Sequence, residues 1–178
     1  MSVCIVSFSS RKNGNCSQIG EFIKSLLPDA TLYDFSNLSI NACGNCGYQC
    51  FNGGNNCPFF TDKECEILDT ITNSTVTYFI VPNYCDFPCS NFFIFNEIIL
   101  CYFHNNEKLL TAYLQTPKKF VVVSNGSVEN FRTAFSYHTN DEPKILRLSA
   151  KEYGKNSADS DIMTSQQAAA DLQKFVVE

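Results

Sequence analysis

Five short apolar runs alternate with helix-patterned segments along the 178 residues, and this alternation narrows the possible folds most. The runs cover residues 3–8, 30–35, 76–81, 120–123 and 145–148, and Pro82 ends the third. The fourth, Phe120-Val121-Val122-Val123, is apolar at every position, as a strand covered on both faces must be. After the first run, Ile19, Phe22, Ile23, Leu26 and Leu27 recur at helical spacing. Residues 62–71 read as a short helix with Cys65, Leu68 and Ile71 on its buried side, and residues 92–103 as a buried helix with Asn91 near its start. Phe131, Ala134, Phe135 and His138 share a helical face. Residues 155–161 form a polar linker before a closing helix over 162–176. Strands and helices in this order call for an α/β fold, a parallel sheet covered on both faces. No repeat or boundary divides residues 1–178, so one domain is expected.

Composition excludes several classes of function. A net charge of −5 with no cluster of Lys and Arg argues against a nucleic-acid face. The longest apolar stretch, residues 92–103, contains Asn96 and Glu97 and is too short to cross a bilayer, so no membrane partner is expected. The start, Met1-Ser2-Val3-Cys4, has no basic segment ahead of an apolar run, so a cytoplasmic location is expected. Ten cysteines in such a chain are expected to be thiols kept for packing, metal or redox chemistry. Cys4 and Cys101 lie in apolar runs and read as small buried hydrophobes.

The loop after the first strand suits an anion. Ser9, Arg11, Asn15, Cys16 and Ser17 bring polar side chains to the start of a helix. There, free N–H groups and the helix dipole favour negative charge, and phosphate is the natural guest. Gly14 allows a turn where a side chain would not fit. An ordinary capped turn is the alternative. The stretch Ser7-Phe8-Ser9-Ser10-Arg11-Lys12-Asn13-Gly14-Asn15-Cys16-Ser17 resembles the phosphate loop of the flavodoxin-like NAD(P)H-dependent FMN reductases, which reads roughly Ser-Gly-Ser-Pro-Arg-Lys-Asn-Gly-Asn-Thr-Ser. It departs at Phe8, Ser10 and Cys16.

Two further loops extend the resemblance to about residues 3–130. Pro82, Asn83, Tyr84, Cys85 and Asp86 follow the third strand and are similar to the family's Pro-Val-Tyr-Trp-Gly, which lies along the flavin ring. Ser124, Asn125, Gly126 and Ser127 stand where the family has its third flavin-side loop. The resemblance implies a flavodoxin-like three-layer sandwich with a five-stranded parallel sheet of order 2-1-3-4-5. It also implies FMN held by these loops, NAD(P)H as co-substrate, an electron acceptor, and a homodimer or homotetramer. No acid–base or nucleophilic constellation stands out, and a flavin enzyme needs none. Two alternatives remain: an electron carrier served by a ferredoxin-like protein, and a domain that has lost its cofactor.

The second motif is a loop over residues 41–58 that is rich in Cys, Gly and Asn. Cys43, Cys46, Cys50 and Cys57 have two, three and six residues between them. Gly44, Gly47, Gly53 and Gly54 make the backbone compliant, and Pro58 follows the last Cys. Compact thiolates of this kind suit an iron–sulfur cluster, and the loop resembles the cysteine motif of iron–sulfur flavoproteins. Zinc and a loop of free thiols are the alternatives. Cys85 and Cys89 are expected to flank the flavin edge as packed thiols. His104 is expected to be solvated and His138 to be a satisfied core or boundary residue.

Overall fold

The protein was analysed as a computed structural model that describes residues 2–44, 46–51, 57, 63–104 and 106–178. Gly53, Gly54, Pro58 and the expected helix start at Asp62 lie outside the described residues. The chain runs β1 (Val3–Ser7), α1 (Asn15–Leu26), β2 (Thr31–Asp34), a 3-10 turn (Gln49–Phe51), α2 (Lys63–Thr72), β3 (Val76–Tyr84) and β4 (Phe87–Pro88). It continues with α3 (Ser90–Phe103), α4 (Glu107–Gln115), β5 (Lys118–Val123), α5 (Glu129–Ser136), β6 (Lys144–Leu148), a 3-10 turn (Ile162–Thr164) and α6 (Gln166–Val177).

Five strands are parallel in the order β2-β1-β3-β5-β6, and β4 pairs antiparallel with the end of β3. With the two-residue β4 set aside, this is the expected 2-1-3-4-5 order of the flavodoxin-like fold. Alternate residues of each strand face opposite layers. Cys4, Val6, Phe79, Val81, Phe120 and Val122 pack with α2, α3 and α5. Val3, Ile5, Tyr78, Ile80 and Val121 pack with α1 and α6. Both faces are therefore dry, as the all-apolar fourth run predicts. Phe120 and Phe135 stack with ring centroids 4.0 Å apart, fastening α5 to the sheet.

Four details differ from the sequence reading. β3 continues through Pro82 to Tyr84, because its last two residues pair with the short return strand β4. Helix α4 fills a stretch left unassigned; Asn106 caps it by accepting from the Leu109 N–H. The closing helix starts at Gln166 after a 3-10 turn, capped by Ser165. On α2 the buried side is Glu64, Ile67, Leu68 and Ile71, while Cys65 is half-buried.

Candidate functional site

The loops after β1, β3 and β5 open on the same carboxyl edge of the sheet. They form a crevice of about 410 Å³, lined by Ser9, Arg11, Asn15, Cys16, residues 82–86, Val123, Ser124, Asn125, Ala150 and Ser157. A parallel α/β sheet places its ligand crevice at this edge.

The first loop is held from both sides. Phe8, where the resembling family has Gly, is fully buried and points into the core. Its ring lies 5.1–5.4 Å from those of Phe35, Phe79, Phe92 and Phe95. Its carbonyl accepts from Asn91 Nδ2 at 2.8 Å and from Cys89 Sγ at 3.3 Å; Asn91 Nδ2 also donates to Ser10 Oγ at 2.9 Å. The bulky substitution thus anchors the loop from beneath and leaves its rim open. Gly14 caps α1, and a Cβ there would meet the Arg11 carbonyl at 3.1 Å, so the tight turn accounts for the glycine. The first N–H groups of α1 have no partner within the helix, and its first two residues, Asn15 and Cys16, line the crevice.

The second loop is a two-residue hairpin turn in which Cys85 (φ 53°) and Asp86 (φ 65°) are both left-handed. Asn83 Nδ2 donates to Ser124 Oγ at 2.6 Å and ties this loop to the third. Asn83 Oδ1 is buried and, among the described residues, has no hydrogen-bond partner. The third loop approaches closely: a Cβ at Gly126 would sit 2.6 Å from Asp86 Oδ1.

Residues 155–161, expected to be a linker, form a strap over the first loop. Arg11 donates to the carbonyls of Ser157 and Ala158. Asn15 Nδ2 donates to the Ser157 carbonyl at 3.4 Å, and Asn15 Oδ1 accepts from Ile162 N–H at 3.1 Å. Gln18 Nε2 donates to the Ser160 carbonyl at 2.6 Å, and Asn125 Nδ2 to Ser157 Oγ at 2.8 Å.

Eleven residues expected at the site line the crevice: Ser9, Arg11, Asn15, Cys16, Pro82, Asn83, Tyr84, Cys85, Asp86, Ser124 and Asn125. Ser17, Gly126 and Ser127 do not; Ser17 is buried and its hydroxyl donates to the Arg11 carbonyl. Val123, Ala150 and Ser157 were missed. Ala150 follows β6, and its signal was position alone: the loop after a fifth parallel strand opens on the same edge.

Burial, reinforced by the charges of Cys89 and Asp34, pushes the Cys16 thiol far above its usual range, while a Ser9 hydrogen bond partly opposes this. Cys16 is therefore a neutral thiol at the α1 end of the crevice. Among the described residues no cysteine is in a disulfide; Cys89 is buried as a packed thiol is expected to be, whereas Cys85 is exposed on its turn.

In the cysteine loop, Cys50 and Cys57 are buried and cluster with Cys101 of α3, whose Sγ lies 3.3 Å from that of Cys50. Cys43 is exposed and Cys46 half-buried. Burial, then the Cys50 contact, raises the Cys101 thiol to about 12. Among the described residues, no three His, Cys, Asp or Glu side chains stand in an arrangement that holds a metal ion. This arrangement gives an iron–sulfur cluster on Cys43, Cys46, Cys50 and Cys57 no support. Among the described residues, no helix is long and apolar enough to cross a membrane.

No protein-family model and no curated protein matches the chain. Solved structures do match over nearly their full lengths. A Trp repressor binding protein from Bacillus subtilis superposes with a TM-score of 0.62 at 12% identity, over 98% of this chain and 97% of its own. An FMN-dependent NADH-azoreductase from Bacillus anthracis, in complex with FMN, gives 0.61 at 11% identity, over 99% and 98%. An NAD(P)H:quinone oxidoreductase from Methanothermobacter marburgensis gives 0.59 at 10%, over 95% and 97%. At these identities the likeness is one of fold.

Proposed function

We propose that the chain is a single FMN-binding domain, an oxidoreductase that passes electrons from NAD(P)H through flavin to an acceptor. One observation carries this reading: the three carboxyl-edge loops converge on one crevice with the start of α1 at one end and the β3–β4 turn at the other. The polar α1 end suits a phosphate, and the hairpin end suits a flat ring system with polar edges. When bound, FMN would supply the hydride and electron chemistry. Ser9, Asn15, Cys16 and the first N–H groups of α1 would hold the phosphate, with Arg11 and Ser17 bracing the loop. Residues 82–86, Ser124 and Asn125 would frame the ring. Gly126 and Ser127 shape the third loop. A cytoplasmic homodimer or homotetramer is the working assembly in this reading. Two structural neighbours support the chemistry, being by name an FMN-dependent NADH-azoreductase and an NAD(P)H:quinone oxidoreductase.

The test is anaerobic rapid mixing of FMN-loaded protein with NADH or NADPH. At least one nicotinamide should bleach the flavin absorbance faster than FMN dissociates. Reduction by a ferredoxin-like protein but by neither nicotinamide would make the chain an electron carrier instead.

A further inference from the structure

The strap over residues 155–161 engages the same polar groups that a ligand phosphate needs. Arg11 Nη1 donates to the Ser157 carbonyl at 3.5 Å, and Arg11 Nη2 donates to the Ala158 carbonyl. Asn15 Nδ2 donates to that same Ser157 carbonyl at 3.4 Å. Arg11, Asn15 and Ser157 all line the crevice. The strap thus presents two carbonyl oxygens, each with partial negative charge, to a guanidinium and an amide at the α1 end. A phosphate oxygen asks for the same donors and, being charged, makes the stronger bonds. Strap and phosphate therefore compete for Arg11 and Asn15.

The strap is built to let go. None of residues 155–161 belongs to either apolar core, whereas Tyr153 and Ile162 on its flanks do. Ser157, Ala158 and Asp159 are exposed. Lys155 pairs with Asp161 at 3.6 Å, which ties the ends of the strap to each other. The closed form also carries local costs. Ser160 holds a left-handed φ of 55°. Its hydroxyl is buried and, among the described residues, has no hydrogen-bond partner. Against these costs stand a few side-chain hydrogen bonds. Gln18 Nε2 donates to the Ser160 carbonyl at 2.6 Å, and Asn125 Nδ2 to Ser157 Oγ at 2.8 Å. Within the strap, Asn156 Oδ1 accepts from the Ala158 N–H at 3.0 Å and shapes its turn.

We propose that the strap is an autoinhibitory latch on the α1 end of the crevice. The Ser157 and Ala158 carbonyls hold Arg11 and Asn15 until the phosphate of an incoming ligand displaces them. Arg11, which braces the loop while the latch is shut, is then free to meet the phosphate. Asn15 keeps its bond from the Ile162 N–H and changes only the partner of its Nδ2. This inference rests on the phosphate site proposed above and adds that the chain itself regulates it. The apparent affinity for a phosphate-bearing ligand is then the intrinsic affinity scaled by the fraction of open latch. A ligand without phosphate does not contend for these donors and is indifferent to the latch.

The test is fluorescence titration with FMN and with riboflavin of the wild type and three variants outside the crevice lining. Gln18→Ala and Asn156→Ala each remove one bond that holds or shapes the closed strap. Each should tighten FMN binding about fivefold and leave riboflavin affinity unchanged. Ser160→Gly relieves the left-handed backbone and removes the unpartnered hydroxyl, so it should stabilise the latch and weaken FMN about threefold. Shifts of opposite sign separate a latch from general loosening. Amide exchange at Ala158 and Asp159 should quicken when FMN saturates the protein, while exchange over residues 9–17 slows. Slower exchange at Ala158 and Asp159 would make the strap a lid that closes on FMN, and would overturn the proposal. FMN affinity that fails to move in opposite directions in the two kinds of variant would overturn the latch and leave the phosphate site standing. Equal affinity for FMN and riboflavin in every protein, or binding of neither, would overturn the phosphate site and the latch with it.

Discussion

Cys85 and Asp86 hold left-handed backbone angles where a primed hairpin turn favours Asn-Gly. Asp86→Gly should therefore raise stability by about 1 kcal/mol. Gly126→Ala should be destabilising on its own, because the new Cβ would meet Asp86 Oδ1 at 2.6 Å. In the Asp86→Gly background that clash is gone, and urea midpoints of the four proteins should show a coupling of about 0.5 kcal/mol or more. Additive effects would mean that the two loops do not touch. His138 supplies a pH signature at the same scale. Its folded pKa of about 3 lies below the ordinary 6.5 because it is buried beside Lys118, Tyr113 and the rings of Phe79 and Phe92. The unfolded chain therefore binds the extra proton first. The stability conferred by a neutral His138 is complete above pH 6.5 and declines as pH falls toward 3. His138→Phe should flatten the stability–pH curve in that window and leave it unchanged between pH 7 and 8. An unaltered curve would show that the ring is solvated.

The least expected element is the strap over residues 155–161. Its composition reads as a linker, yet Arg11, Asn15, Gln18 and Asn125 all donate to it. Asn125 is its hub: its Oδ1 accepts from Ser149 Oγ and Lys151 N–H, and its Nδ2 donates to Ser157 Oγ. Asn125→Ala should cost about 1 kcal/mol in stability and speed amide exchange across residues 155–161 well before the sheet exchanges. Exchange that rises equally in β1 and β3 would show that the strap and sheet open as one unit. Helix α4 was hidden for another reason. Its nine residues follow directly on the apolar run of α3, so Leu109, Leu110, Tyr113 and Leu114 form a pattern too short to separate from its neighbour.

At the scale of the molecule, the parallel sheet was legible because apolar runs alternate with helical patterns, and its strand order because the first loop resembles that of a known family. Most of the crevice was legible because such a sheet brings its strand-end loops to one edge; Ser9, Cys16, Asn83 and Asp86 could be named before any contact was known. Ala150 was legible only from its place just after β6, and Ser157 was not, because its place depends on how the strap folds back. In the cysteine loop, spacing named Cys50 and Cys57, which do cluster, but not Cys101, which joins them from far along the chain on α3.

The central claim is that the start of α1 and its loop form a phosphate site within a flavin crevice. It is tested most directly by fluorescence titration of the apoprotein with FMN and with riboflavin, which differ only in the phosphate. FMN should bind at micromolar levels or tighter and at least about tenfold better than riboflavin. Asn15→Asp should remove most of that preference: the carboxylate can still accept from Ile162 N–H, but it repels phosphate and cannot donate to the Ser157 carbonyl. Equal affinity for the two flavins, or binding of neither, would contradict the account.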